Sequence, residues 1–325
     1  MSHIRNTVLA LGLLLVVATP VLITSPYWLH VINLSGIYAV VAIGLNILTG
    51  YTGMLSVGQA GFFGIGAYLS ALAMLRLGLS FWLAMPLAAL GTCLFGILMG
   101  LPAMRLKGPY LVMATVGFAE IVRLVLINWV PVTRGTAGLL NIPAPAAFGY
   151  EVAGETGWFY LIFALLGLVI FLTRRMEHSK IGRALRAVRE NELAAEAMGV
   201  PVFWYKALAF GLSALLAGMA GSLFASFQTY ISPDSFTFEE SVAFVSMIVV
   251  GGIGTLPGAV VGALLMGLVP ELLRAFKDYR LITYGFILLG SAVFFPRGIV
   301  GLLEAWILGK REEGASWLRY LRRKA

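Results

Sequence analysis

The chain has 325 residues, 60% of them apolar and 12% charged, with a mean hydropathy of +0.92 and a formal net charge of +8. That is more apolar surface than one water-soluble core hides, which excludes an ordinary soluble domain and indicates an integral membrane protein. Apolar runs of 15 to 24 residues match the ~20 needed to cross ~30 Å of hydrocarbon as helix, and exclude the ~10-residue alternating strands of an outer-membrane barrel.

In chain order, ten spans are expected at about 7–24, 31–49, 55–75, 81–101, 109–130, 157–173, 203–227, 240–253, 257–273 and 281–296. The first is read as an uncleaved span: Arg5 precedes it, but it lacks a small-x-small cleavage site and ends in Thr19-Pro20. Glycines interrupt the third and the eighth is short, as in broken or re-entrant helices whose freed backbone groups are satisfied inside the protein. The single cysteine, Cys93, lies within a span, allows no internal disulfide and indicates no metal site.

With the N-terminus in the cytoplasm, this arrangement puts 17 of the 23 Lys and Arg residues on the cytoplasmic side and five outside, with Arg123 in a span. The positive-inside rule therefore favours N-in and C-in. The positive charge is an orientation signal; a nucleic-acid partner would need a soluble basic face, and the sequence offers none. The C-terminal tail, 305–325, ends in WLRYLRRKA, and its alternating basic and apolar residues suit anionic lipid headgroups at ~1 kcal/mol per basic residue.

One stretch departs from the apolar pattern. Between Arg174 and Glu196, ten of 23 residues are charged; at ~2.5 to 3.5 kcal/mol for each charge near the bilayer centre, the segment 174–206 stays in the cytoplasm. Ser179 is placed to cap a helix with Ile181, Ala184, Leu185 and Val188 on one face and Arg183, Arg186 and Glu190 on another. Asn191 is placed to cap a second, shorter helix that holds Glu192 in its first turn and stops at Gly199 before Pro201. An ordinary solvated loop would not need this capping or the small-residue end AAEAMG, which fit a surface gripped by another protein.

The run from Glu192 to Gly199, ELAAEAMG, resembles the EAA…G coupling loop of permease subunits in binding-protein-dependent ABC importers. More specifically, LTGYTGMLSVGQAGFFGIGAY (48–68), KGPYLVMATVGFAEIVR (107–123), SKIGRALRAVRENELAAEAMGV (179–200) and VVGGIGTLPGAVVGA (249–263) are similar in content and order to LivM-type permeases of branched-chain amino acid importers. The resemblance covers about residues 30 to 300. It implies an all-α, polytopic permease domain over 1–304 in a bacterial inner membrane. It also implies the partners: a second, LivH-like permease, two ATP-binding cassette ATPases and a periplasmic substrate-binding protein. Glu192, Ala194, Ala195, Glu196, Ala197 and Gly199 are then the residues expected to couple to an ATPase, the alanines keeping the helix slim enough to enter a cleft.

The remaining residues fit that expectation. No GxxxxGK[ST] motif is present, so ATP and Mg are expected on the partner ATPases, with no cofactor on this chain. Asp234, Asp278 and the three histidines all fall outside the spans, which argues against an intramembrane protease or a metal centre and leaves no catalytic residue to assign. Ser213, Ala217 and Gly221, Ala214, Gly218 and Ser222, and Gly258 and Gly262 form small-residue faces suited to close helix packing. Ser56 and Gln59 stand among Gly53, Gly58, Gly61, Gly64 and Gly66, and polar groups beside flexible backbone at membrane depth make them candidates for the translocation path as well as for packing. Glu120 is the one carboxylate deep in a span, with Arg123 three residues on; the two read as an intramembrane ion pair, and Glu120 also as a path or permease-facing residue. Urea, amides or other amino acids remain alternative cargoes. A solitary ion-coupled carrier using Glu120 is the alternative of a different class.

Overall fold

Proline suits the first turn of a helix, where its fixed φ is already helical and its missing N–H is not needed, and the first two long apolar helices to show this begin at Pro26 and Pro109. The computed structural model describes residues 25–272 apart from 107, 148, 149 and 153, together with 19, 20, 285 and 298–301. Apart from those few positions, the expected spans at 7–24 and 281–296 lie outside the described residues, as does the tail 305–325. Helix α1 (Pro26–Leu45) continues into a π-turn, Asn46–Gly50. It is followed by α2 (Gln59–Leu77), α3 (Phe81–Ala103), α4 (Pro109–Asn128) and α5 (Gly154–Glu177). Two short helices, α6 (Lys180–Glu190) and α7 (Glu192–Ala197), precede the long α8 (Val202–Gln228), and α9 (Phe238–Gly251) and α10 (Leu256–Leu272) come after it. The loop between α4 and α5 holds one two-residue antiparallel pair, Ala146–Ala147 with Tyr150–Glu151.

Six helices of the described residues are long and apolar enough to cross a membrane: α1 with its π-turn, α2, α3, α4, α5 and α8. One of the expected spans starts later than its apolar run. The one expected at 55–75 becomes helical only at Gln59, after a non-helical stretch at 53–58, the kind of break its glycines lead one to expect. Those expected at 240–253 and 257–273 are found at Phe238–Gly251 and Leu256–Leu272; the first, of 14 residues, rises only about 21 Å at 1.5 Å per residue and, as expected of the short eighth span, falls short of a ~30 Å core.

Helix α8 is the central element. All six residues of its two small faces (Ser213, Ala217 and Gly221; Ala214, Gly218 and Ser222) are buried. Gly66 of α2 meets the backbone of Gly218, a Cβ on Gly218 would lie 2.6 Å from Cβ of Thr92 on α3, and the hydroxyls of Ser70 and Ser222 approach to 2.6 Å. Such contact is how helices associate where no hydrophobic effect drives them together. Phe63 of α2 packs edge-on or tilted against Phe224, Phe236 and Phe244 at centroid distances of 5.2 to 5.6 Å, joining α2, α8 and α9 at the centre.

The bundle has two distinct ends. At one, the start of α1 is tied to the start of α5: Asn33 Nδ2 donates to Glu155 Oε2 at 2.9 Å, and His30 Nδ1 lies 3.0 Å from Oε1. The same end carries the loop before α5, where Leu139 bridges Ile231 and Ile142 N donates to Thr229 O. At the other end stand α6 and α7.

Candidate functional site

The charged excursion from the bundle is held by local chemistry. Ser179 Oγ accepts from Ile181 N at 3.1 Å and caps α6, as the sequence leads one to expect. Ala184, Leu185 and Val188 are buried beneath the helix, while Ile181, expected on the same face, is 37% exposed at its edge. Arg186 Nη2 donates to Glu177 O at 2.6 Å, folding α6 back on the end of α5. Asn191 Oδ1 accepts from Ala194 N at 3.0 Å and caps α7. Glu192 in the first turn of α7 pairs with Lys206 Nζ of α8 at 2.6 Å, and the lysine is almost wholly buried.

The end of α7 is a Schellman turn. Val200 N donates to Ala195 O at 3.0 Å and Gly199 N to Glu196 O at 2.9 Å, with Gly199 left-handed at φ 80. Ala194, Glu196, Ala197 and Gly199 face solvent. Ala195 does not: it is 5% exposed and turned into the bundle, because the pairing of Glu192 with Lys206 lays that side of α7 on α8. The residues that stand out instead are Leu193 and Met198, 77% and 84% exposed. Sequence reading passed over them because a single apolar residue on a six-residue helix has no periodicity to assign its face.

Beneath α6 and α7, two glycine-rich stretches come together. Arg189 Nη1 donates to Gly50 O at 2.6 Å at the end of the π-turn. Asn46, buried in the same turn, accepts from Gly254 N at 2.8 Å and donates to Thr255 O at 3.2 Å, in the turn between α9 and α10. A cleft of about 660 Å³ opens beside them, lined by residues 52–55, the start of α4, the junction of α6 and α7, and Lys206. Arg189, Lys206 and Asn46 were not singled out in the sequence. A lone Asn in an apolar run and a lone Lys at the start of a span were the available signals.

The candidate path residues are separated. Ser56 and Gln59 are fully buried within this chain. Ser56 Oγ accepts from Gly58 N at 3.4 Å, and Gln59 Nε2 donates to Ser213 O and Oγ at 3.3 and 3.2 Å. The non-helical backbone between them is satisfied from α4, where Thr115 Oγ1 accepts from Val57 N at 3.1 Å, as irregular backbone at membrane depth requires. Glu120 and Arg123 form a pair with two guanidinium nitrogens on the carboxylate, Nη2 to Oε1 at 2.8 Å and Nε to Oε2 at 3.1 Å. Their side chains are 43% and 26% exposed, so the pair lies on the flank of α4 and not in the interior of this chain's bundle. Arg123 Nη1 also comes within 3.8 Å of Asp234 Oδ1.

A bundle of membrane-length helices with one capped, charged excursion at one end is the form of a polytopic membrane protein. The family model for the branched-chain amino acid transport system permease component matches residues 27–292, and the chain belongs to that family. It is 36% identical to the high-affinity branched-chain amino acid transport system permease protein LivM of Escherichia coli K12, over 94% of this chain and 76% of LivM. Identity to LivM of Salmonella typhimurium is 34%, over 92% and 76% of the two chains. The LivH permease protein of the same organism is 26% identical, over 84% of this chain and 94% of LivH. No solved structure matches the chain significantly.

Proposed function

We propose that the chain is a membrane permease subunit of an ATP-driven importer of leucine, isoleucine and valine. The similarity to LivM over 94% of the chain carries this reading. The chain's similarity to both LivM and LivH supports a translocation path built by two related permeases, this one and a LivH-like partner. Energy comes from two separate ATPase subunits that bind ATP and Mg, this chain holding no cofactor, and a periplasmic binding protein delivers the cargo. The protein sits in the bacterial inner membrane with both termini in the cytoplasm, which puts α6 and α7 beside the ATPases.

In this reading the exposed face of α7 enters a cleft on an ATPase. Glu192, Ala194, Glu196, Ala197 and Gly199 contribute to that contact, Ala195 supports it from beneath, and Leu193 and Met198 supply its apolar area. Burying such side chains yields about 1.5 to 3 kcal/mol each. Ser56, Gln59 and Glu120 border the path: the first two hold the non-helical segment in place, and Glu120, with Arg123, faces the second permease, since an ion pair exposed on the flank of a span is costly against lipid.

The test is reconstitution. In proteoliposomes holding both permeases and both ATPases, with the binding protein outside, leucine uptake is expected to require ATP and to be competed by isoleucine and valine but not by urea or acetamide. Uptake by the purified single chain without ATP, driven by a pH gradient and abolished by Glu120→Gln, would establish the carrier instead.

A further inference from the structure

Three of the four stretches that carry the family resemblance meet at one side chain, that of Arg189. It is the last residue but one of α6, just before the chain breaks at Asn191 into α7. Its guanidinium donates to Gly50 O at 2.6 Å. The carbonyls that end a helix lack intrahelical partners and carry partial negative charge, so a cation there satisfies them in two ways. The π-turn at Asn46–Gly50 is itself a departure from regular helix of the kind found at functional positions.

The same guanidinium lies against the turn between α9 and α10. A Cβ on Gly254 would lie 2.7 Å from Arg189 Nη1, and one on Gly50 would lie 2.7 Å from Gly254 N. Gly254 is left-handed at φ 84, so both space and conformation call for glycine there. Asn46 closes the junction with its bonds to Gly254 N and Thr255 O. One guanidinium nitrogen, Nη1, therefore bonds the end of α1 and lies against the turn joining the two short helices, while the residue's own backbone belongs to the coupling segment. Lysine has the charge but not the planar guanidinium with its five donors.

We propose that Arg189 is a positioning residue that transmits displacement of α6 and α7 to the end of α1 and to the α9–α10 turn, so that these membrane elements move together when the coupling segment moves. The inference rests on the function proposed above, but one arm of its test does not. In a Cys93→Ser background, spin labels at Lys180→Cys on α6 and Ile253→Cys in the α9–α10 turn report the distance across the clasp in the full chain paired with its partner permease, without cargo or ATP. A narrow distribution is expected with Arg189, a broadened one in Arg189→Ala and an intermediate one in Arg189→Lys. The second arm measures leucine taken up per ATP hydrolysed in the complete complex: a fall of about tenfold for Arg189→Ala and about threefold for Arg189→Lys is expected, with the ATPases still bound. An unchanged distance distribution in Arg189→Ala overturns the proposal. So does unchanged uptake per ATP in both variants. Because Arg189→Lys keeps the charge and aliphatic stem, it holds the second arm open should Arg189→Ala fail to assemble. If wild type takes up no leucine with ATP, the importer reading fails, and the distance arm still decides the clasp.

Discussion

At Gly199 the conformation of one residue governs a whole surface. The Schellman bonds that end α7 require φ 80 at this position, a region that costs a residue bearing a Cβ roughly 1 to 2 kcal/mol and a β-branched one more. A Cβ there meets no atom of this chain within 4 Å, so backbone conformation sets any penalty arising within the chain. Gly199→Asn, which tolerates the left-handed region, is therefore expected to keep ATP-driven uptake within about twofold of wild type. Gly199→Val is expected to lower it by about tenfold, the equivalent of ~1.4 kcal/mol, while the chain still inserts and pairs with its partner permease. Equal uptake in the two variants would show that the turn does not matter to coupling. Much of this residue-scale detail was legible beforehand: Ser179, Asn191 and Gly199 are helix start and stop signals whose chemistry acts within a few residues. The inward rotation of Ala195 was not legible, because it depends on Lys206, eleven residues further on and in another helix.

The same contrast between local and distant causes holds for whole helices. Apolar length read from the sequence located α3, α4, α5 and α8 to within a few residues, since the run itself fixes where a span lies. The glycines marked the third span as broken, but not what stabilises its non-helical stretch at 53–58, which is Thr115 Oγ1 on a helix nearly 60 residues away. The small-residue faces of α8 were legible as packing surfaces, but their partners on α2 and α3 were not. A matched pair of substitutions separates contact from composition. A Cβ at Gly66 would run into the backbone of Gly218, whereas one at Gly167 on α5 meets nothing within 4 Å. Gly66→Leu should therefore wedge α2 from α8, and an overpacking cost of about 1 to 3 kcal/mol should lower the thermal midpoint in detergent by roughly 5 °C or more. Gly167→Leu, on the exposed side of α5, should leave the midpoint within about a degree or two. Equal shifts would mean that the close approach of α2 and α8 contributes little to stability.

For the molecule as a whole, the question is which end faces the cytoplasm. The described helices place Arg174, Arg175, Lys180, Arg183, Arg186, Arg189 and Lys206 at the end bearing α6 and α7, whereas the end joined by Asn33 and Glu155 carries the loop from 130 to 152 with Arg134 as its only Lys or Arg. Translocating a short loop rich in Lys and Arg is disfavoured, so the proposed orientation puts the first end in the cytoplasm. This asymmetry between the ends holds whether α9 and α10 cross the membrane fully or dip into it, because the α8 helix alone separates Lys206 from the loop at Thr229. Cys93 is the only native thiol, and Cys93→Ser clears the background for labelling. Thr136 and Arg186 are both exposed, one at each end. In intact spheroplasts, an impermeant maleimide should modify Thr136→Cys at once and Arg186→Cys only after the membrane is opened. In inverted vesicles the order should reverse. Modification of both from the same side would overturn the orientation and, with it, the placement of α6 and α7 against cytoplasmic ATPases.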